Sequence, residues 1–93
     1  MSSADNYELV LTPPARRALT GKLPEPVAAA VIEFLTTSLI QQPYRAGKPL
    51  RDDLAGLWSA RRGTYRVLCR IREDRREVII LRVEHRRDAY RPL

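Results

Sequence analysis

A chain of 93 residues, 44% hydrophobic and 30% charged, is predicted to form a single globular domain over residues 1–93, with any active site on its surface. One cysteine and one histidine exclude an internal disulfide and a zinc site built from cysteine clusters. The net charge is +6, and residues 45–93 hold the whole basic excess, which suits a polyanionic partner such as nucleic acid or an acidic protein.

The first elements are predicted to be a strand followed by two helices. Apolar side chains alternate over residues 7–11, which is the pattern of a strand. Thr12 suits a helix N-cap and Pro13 suits the first turn, so a helix is predicted over residues 13–22. A second helix is predicted to begin near Pro26 and to be stopped by Pro43. Its apolar residues form one stripe with helical spacing: Val27, Val31, Phe34, Leu35 and Leu39.

The second half of the chain is predicted to be rich in strands. Residues 41–53 combine prolines, a glycine and mixed charges, which indicates a loop. Strands are predicted over residues 57–62, 65–72 and 77–84, and their short connections predict an antiparallel meander. Residues 86–93 suffice for one helical turn. The predicted fold is α+β: a two-helix hairpin packed on a mainly antiparallel four-stranded sheet, in the order β-α-α-β-β-β, with a short C-terminal turn.

Strict alternation assigns the side chains of the last two strands to two faces. In the strand over residues 65–72, the apolar face carries Tyr65, Val67, Cys69 and Ile71, and the other face carries Arg66, Leu68, Arg70 and Arg72. In the last strand, which is predicted to be central, one face carries Ile79, Leu81 and Val83, and the other carries Val78, Ile80, Arg82 and Glu84. We expect the helices to cover the apolar face and to leave a concave basic face.

Residues capable of chemistry concentrate in these strands and the tail. Cleavage of RNA without metal requires a base for the ribose 2′-hydroxyl, a positive group for the phosphorane and an acid for the 5′-oxygen. Arginine, histidine and tyrosine can fill these roles, and histidine is the usual acid or base near neutral pH. The candidate cluster contains Arg61, Arg62, Arg66, His85, Arg86, Arg87 and Tyr90.

Other chemistries lack their sequence signatures. Asp52 and Asp53 adjoin in a predicted loop, and Glu84 and Asp88 flank arginines, where salt bridges explain them. There is no glycine-rich phosphate loop, nucleophile elbow or metal-binding helix pair, so no metal and no cofactor is predicted. No apolar run reaches the roughly 20 residues that span a bilayer, and the first residues lack a signal-peptide pattern, so a cytoplasmic protein without a membrane partner is predicted.

The order of elements and several motifs resemble the RelE-like toxins of bacterial toxin–antitoxin pairs, over nearly the whole chain. The motifs that carry the resemblance are YELVLT at residues 7–12 followed by Ala15 and Leu19, PLR at 49–51, LAGLW at 54–58, RRGTYRVL at 61–68 and VEHRRDAY at 83–90. The resemblance implies a metal-independent endoribonuclease that enters the ribosomal A site and cuts the codon exposed there. It also implies a RelB-like antitoxin that wraps the toxin in a hetero-oligomeric complex.

The resemblance also implies residue roles. Arg66 matches the arginine after the tyrosine of the central strand, Arg86 matches an arginine that contacts phosphate, and Tyr90 matches a tyrosine that stacks on a base. His85 stands where some active relatives have a histidine, and Arg61, Arg62 and Arg87 are predicted to contact RNA. The chain departs from the pattern at Leu57 and Ser59, where well-studied active members present lysines. Arg61 and Arg62 are candidate substitutes for those lysines.

Two other functions fit the same resemblance. The related ParE-like branch shares the fold and inhibits DNA gyrase without cutting RNA, and fold alone does not separate the two. The tail with His85, Arg86 and Tyr90 favours the nuclease, because an inhibitor of gyrase has no need of a histidine and a tyrosine beside phosphate. The loss of the two lysines favours a third reading, a catalytically inactive module that binds RNA or the ribosome electrostatically.

Overall fold

The computed structural model describes residues 6–85, in which one strand is followed by three α-helices and then by four more strands. The strands are β1 (Glu8–Leu11), β2 (Lys48–Pro49), β3 (Trp58–Arg62), β4 (Tyr65–Arg72) and β5 (Glu77–His85). The helices are α1 (Pro13–Arg17), α2 (Glu25–Phe34) and α3 (Pro43–Ala46), and a 3₁₀ turn covers Asp52–Leu54. The predicted turn over residues 86–93 lies outside the described residues. No helix within residues 6–85 is long and apolar enough to cross a membrane.

The sheet has five strands in the order β1-β5-β4-β3-β2, so the α+β class is confirmed and the prediction of four strands is wrong. β3, β4 and β5 form the predicted antiparallel meander, with β5 in an interior position. β1 pairs with β5 in parallel, from Glu8 beside Glu77 to Leu11 beside Ile80, which makes the sheet mixed. A parallel neighbour is possible because all the other helices and strands lie between β1 and β5 in the chain, a connection far longer than the dozen residues that parallel strands require.

The fifth strand arises in the segment that was predicted to be a loop. Pro43, which was expected only to stop a helix, occupies the first turn of α3, where its missing N–H costs nothing. Gly47 then lies against β3, and a Cβ on it would stand 3.2 Å from the Ser59 carbonyl oxygen. This close approach lets β2 pair with β3 as an edge strand, a position that tolerates Pro49. A strand of two residues is too short to produce a periodic pattern in the sequence.

Both predicted helices are confirmed. α1 continues as a π-helix over Ala18–Lys22, and α2 continues as a π-helix over Leu35–Leu39. Thr12 precedes α1 as expected, but its hydroxyl does not cap the helix. The hydroxyl instead donates hydrogen bonds to the carbonyl oxygens of Ile80 at 2.7 Å and Leu81 at 3.1 Å, and thereby fastens the start of α1 to β5.

The core lies between the helices and one face of the sheet. The predicted stripe of α2 and its extension is confirmed, since Val31, Phe34, Leu35 and Leu39 are buried. They pack with the helix-side residues of the central strands, which are Tyr65, Val67, Cys69, Val78 and Ile80. No polar or charged residue within residues 6–85 is buried. The charged side chains of the strands must therefore lie on the other face or at the ends of the sheet.

The face assignment holds for β4 and is wrong for the end of β5. Cys69 pairs with Ile80 while Leu68 pairs with Arg82, so Leu81 is an extra residue in a β-bulge. Beyond the bulge the alternation reverses. Val83 therefore lies with Ile80 on the face that packs against the helices. The Arg82 side chain lies on the opposite face, which no helix of residues 6–85 covers and which we call the open face.

A polar clasp joins the start of β1 to α3 and the β4–β5 hairpin. The Tyr7 hydroxyl donates to Glu73 Oε1 at 2.9 Å and Oε2 at 2.6 Å, and the Tyr44 hydroxyl donates to Oε2 at 3.0 Å. Arg76 lies over the Tyr7 ring at 4.1 Å, with its Nη1 3.7 Å from Glu73. The hydrogen bond from Tyr7 is the largest cause that lowers the pKa of Glu73, and Glu73 raises the pKa of Tyr7 to about 12.

Removal of a core side chain tests the packing of the second helix. Leu39→Ala deletes a fully buried side chain and should lower the free energy of unfolding by about 2–5 kcal/mol. Ile32→Ala on the exposed side of α2, where Ile32 is 45% exposed, is the matched control and should change it by less than about 0.5 kcal/mol. Urea denaturation measures both. Equal effects of the two substitutions would contradict this assignment of the buried face.

The clasp predicts a specific dependence of stability on pH. The pKa of Glu73 is lowered from 4.5 in the fold, so its contribution is present above pH 4.5 and is lost as the pH falls. The pKa of Tyr7 is raised from 10.0 to about 12, so its contribution is lost as the pH rises through that interval. Glu73→Gln should flatten both limbs of a plot of melting temperature against pH. Unchanged limbs in this variant would rule out the clasp.

Candidate functional site

The face of the sheet that no helix of residues 6–85 covers carries a compact group of charged residues. In the cross-strand register, Lys48 lies beside Ser59, Ser59 beside Leu68 and Leu68 beside Arg82. In the next row, Arg61 lies beside Arg66 and Arg66 beside Glu84. Residues directly opposite share a face, and rows two positions apart are separated by about 7 Å. We call the five charged residues of these rows the basic face: Lys48, Arg61, Arg66, Arg82 and Glu84.

Electrostatics in the basic face are dominated by arginine. Arg61 and Arg66 stand directly opposite each other, an arrangement that repels unless an anion lies nearby. Arg66 donates from Nε to Glu84 Oε1 at 3.1 Å, and its Nη2 contacts the same oxygen. Arg82 Nε lies 3.8 Å from the other carboxylate oxygen of Glu84. The predicted salt-bridge role of Glu84 is thus confirmed, and one carboxylate is shared between two guanidinium groups.

Two members of the basic face were missed by the sequence analysis. Arg82 was assigned to the face of Val78 and Ile80, and only the bulge at Leu81 reverses that assignment. Lys48 lies in the segment that was predicted to be a loop. Its position beside Ser59 places a lysine one strand away from a site where the resemblance expects one. A single extra residue barely changes the alternation of apolar and polar residues, so the sequence did not reveal the bulge. Lys48 stands alone before Pro49 and belongs to no periodic pattern.

The predicted cluster does not share one face. The register places Arg62 beside Tyr65 and Tyr65 beside His85, which puts Arg62 and His85 on the helix-side face. The guanidinium of Arg62 lies over the ring of Phe34 at 4.6 Å, so it is engaged with α2. His85 is half-buried at the last position of β5, next to Glu84 in the chain. Of the predicted residues, Arg61 and Arg66 are brought together on the open face.

Three predicted residues, Arg86, Arg87 and Tyr90, lie outside the described residues. Arg86 directly follows His85, the last residue of β5, and Arg87 and Tyr90 come after it in the chain. Their roles remain predictions.

Cys69 is unsuited to nucleophilic chemistry. It lies on the helix-side face of β4, is 1% exposed, and burial raises the pKa of its thiol to about 11. The thiolate is the reactive form, so at neutral pH this side chain is inert and belongs to the core. Within residues 6–85, no group of three or more histidine, cysteine, aspartate or glutamate side chains is placed to hold a metal ion.

Within residues 6–85, the protein is a small α+β domain whose helices pack on one face of a mixed sheet and whose other face carries basic residues. Residues 9–90 match a family model described as the ParE toxin of type II toxin–antitoxin systems, parDE. The chain is 54% identical to Toxin RelG of Mycobacterium tuberculosis over 91% of its length and 97% of that protein. It is 45% identical to Toxin RelE of the same organism over 98% of its length and 93% of that protein.

A solved structure agrees with these relatives. The toxin–antitoxin complex RelBE2 from Mycobacterium tuberculosis contains a chain that is 53% identical, with a TM-score of 0.84 over 87% of this chain and 99% of that one. The chain therefore belongs to the RelE/ParE superfamily of type II toxin–antitoxin toxins, which confirms the resemblance read from its motifs.

Thiol labelling tests the assignment of Cys69 to the core. In the native protein at neutral pH, Cys69 should react with a thiol reagent far more slowly than in denaturant, since burial both shields the sulfur and disfavours the thiolate. Ellman's reagent, read with and without guanidinium chloride, measures the two rates. Comparable rates in both conditions would show that Cys69 is accessible and would contradict the assigned face of β4.

Proposed function

We propose that this toxin cleaves messenger RNA on the ribosome, at the codon in the A site, by attack of a ribose 2′-hydroxyl on the adjacent phosphate without metal. The observation that carries the proposal is the pair Arg61 and Arg66, directly opposite each other on the uncovered face. Two facing guanidinium groups are favourable when a phosphate lies between them. The two curated relatives of highest identity reported above, both Rel toxins, support the same class.

Arg66 is the residue best prepared to stabilise the transition state. Glu84 holds its Nε and Nη2 in place, and a guanidinium has five N–H donors, so further donors remain for a phosphate. The Arg66 side chain is 52% exposed and can be reached by RNA. A fixed donor aimed at a phosphorane oxygen stabilises the charge that develops there. Arg61 adds a second positive charge across the strand pair.

Proton transfer is assigned to the end of β5 and the residues that follow it. His85 is the proposed general acid or base. Its register position is on the helix-side face, so this role requires access to the phosphate around the end of β5. Tyr90 is proposed to stack on the base at the cut and to assist the proton transfer. Arg86 is proposed to hold the scissile phosphate, with Arg87 as a further RNA contact. The prediction that Arg62 contacts RNA is not retained, because its guanidinium lies over Phe34 on the helix-side face. Which group acts as base and which as acid is left open in this proposal.

Lys48 is proposed to supply positive charge that the family pattern places on β3. Relatives that carry lysines at the positions of Leu57 and Ser59 present them from one strand, whereas Lys48 reaches the same face from β2, beside Ser59. The side chain is exposed and lies in the row next to the Arg61–Arg66 pair. This arrangement supports activity despite the missing lysines and weakens the case for an inactive binding module.

The proposed regulator is a RelB-like antitoxin in a hetero-oligomeric complex. The 53% identical chain described above was solved as a toxin–antitoxin complex, which supports a partner of the same kind for this chain. An antitoxin rich in carboxylates would complement the basic face and compete with RNA for the arginines.

Inhibition of DNA gyrase is the second candidate, because the matching family model is named for ParE toxins. A gyrase inhibitor would use the fold as a binding surface and would leave RNA intact. A supercoiling assay with purified gyrase tests it directly.

The nuclease proposal predicts a large effect of a single arginine. Arg66→Ala should lower ribosome-dependent cleavage by about 100-fold or more, because a fixed donor to the phosphorane is lost. Its effect on the free energy of unfolding should stay within about 1 kcal/mol, because the pair with Glu84 is exposed. Primer extension on a defined messenger RNA, with and without ribosomes that have an empty A site, measures the cuts.

Arg45→Ala is the matched control. Arg45 is an exposed arginine of α3 whose side chain bonds only Gln42 among residues 6–85, so its loss removes the same charge and should leave cleavage unchanged. Cuts that persist in Arg66→Ala would remove Arg66 from the site. No cuts by the unchanged protein under either condition would overturn the nuclease proposal.

A further inference from the structure

A groove lies at the edge of the basic face, between the first helix and the end of β5. Its volume is about 210 Å³, below the range of roughly 300–1,000 Å³ that is typical of sites for cofactors and drug-sized ligands. A cavity of this size suits a single chemical group. It is lined on the helix side by Arg17 and Lys22, on the strand side by Arg82 and Glu84, and by apolar residues that include Pro14 and Leu23.

The charges in the groove are unbalanced. Arg17, Lys22 and Arg82 line it with three positive charges, and Glu84 supplies one negative charge. Glu84 is already shared between Arg66 and Arg82 on the basic face. Among residues 6–85, the side chains of Arg17 and Lys22 make no hydrogen bond and no ion pair, and both residues are exposed. The two cations on the helix side therefore have capacity for an external anion.

The backbone on the strand side is also open. β1 ends at Leu11, which pairs with Ile80, whereas β5 continues to His85. Beyond Ile80, this edge of β5 has no neighbouring strand within the described part of the chain. Among residues 6–85, the backbone of β5 beyond Ile80 lacks a strand partner and the side chains of Arg17 and Lys22 lack an ion-pair partner, and these groups border the same groove.

The groove and the basic face share two residues. Arg82 and Glu84 line the groove and also lie in the two rows of the basic face that contain Lys48 and Arg66. A strand whose phosphate lies between Arg61 and Arg66 can therefore continue past Arg82 towards Arg17 and Lys22. Arginine forks and a lysine point charge, arranged along such a path, match the repeated phosphates of a nucleic acid backbone.

We propose that this groove is a second phosphate-binding subsite, which takes a backbone phosphodiester of the RNA strand adjacent to the linkage held at Arg66. The inference rests on the proposed function and extends it from the reacting phosphate to its neighbour. RNA is favoured over an acidic peptide because the groove shares Arg82 and Glu84 with the basic face, where the reacting phosphate is proposed to bind. Arg17 and Lys22 act here as binding residues without a part in proton transfer.

Salt-dependent binding of a short single-stranded RNA, with 2′-O-methyl riboses that prevent cleavage, tests the subsite. Each phosphate contact contributes roughly 0.7 to the slope of log affinity against log salt for single strands. Arg17→Ala/Lys22→Ala should therefore lower the slope by about 0.7, because the groove takes one phosphate. Arg45→Ala/Arg75→Ala removes the same charge from α3 and the β4–β5 hairpin, at the far end of β5 from the groove, and should leave the slope nearly unchanged. Fluorescence anisotropy measures the affinities, and circular dichroism checks that all variants are folded.

Including Arg66→Ala separates failure of the subsite from failure of the proposed function. A lower slope for Arg66→Ala, with none for Arg17→Ala/Lys22→Ala, would overturn the subsite and leave the function in place. An unchanged slope in both would overturn the subsite and the phosphate contact of Arg66, whereas only the absence of ribosome-dependent cuts overturns the proposed function. Unchanged RNA binding combined with weaker binding of a poly-glutamate peptide by Arg17→Ala/Lys22→Ala would assign the groove to an acidic protein partner and would overturn the RNA subsite.

Discussion

Packing of the second helix against β4 and β5 determines which face of the sheet is available for function. Val31 and Leu39 are fully buried against Val67 and Ile80, and burial of each such side chain stabilises the fold by about 1.5–3 kcal/mol. No charged side chain within residues 6–85 is buried in that layer. The arginines that alternate with these apolar residues are thereby held on the opposite face, so the core and the basic face are two consequences of one alternation.

The bulge at Leu81 connects this core to the site. Without the extra residue, strict alternation would place Arg82 and Glu84 on the helix side, where an unsolvated charge is costly, and would expose Val83. With it, Val83 packs against the core and Glu84 reaches Arg66. β-Bulges often redirect side chains next to functional sites, and this one supplies the carboxylate that positions Arg66 and the third cation of the groove.

Strong periodic patterns were sufficient to predict most of the fold, and local exceptions to them were not predictable. The stripe from Val27 to Leu39 and the alternation from Tyr65 to Ile71 are long enough to identify α2 and β4 with their buried faces. β2 has two residues and depends on the contact of Gly47 with Ser59, which is a tertiary effect. The hydroxyl of Thr12 likewise bonds to β5 because the sheet brings carbonyl groups within reach, whereas sequence alone suggested a cap.

The positions of the candidate site residues were predicted correctly only in part. Arg61 and Arg66 were predicted correctly to lie together, since both belong to strands joined by a short turn at Gly63. Arg62 and His85 were grouped with them by proximity in sequence, but single-residue alternation sends both to the helix side. Periodicity could predict only the positions of residues, and the family resemblance supplied their roles. The roles predicted for Arg86 and Tyr90 rest entirely on that resemblance.

The central claim is that the reaction begins with a ribose hydroxyl of the substrate. A messenger RNA with a single 2′-deoxynucleotide on the 5′ side of a mapped cut site, presented on ribosomes, tests this most directly. The account predicts that cleavage at that site disappears while neighbouring sites are cut as before, and that products of the all-ribose RNA carry 5′-hydroxyl ends. Cleavage of the 2′-deoxy linkage, with 5′-phosphate ends, would mean that water is the nucleophile and would contradict the mechanism assigned to the basic face.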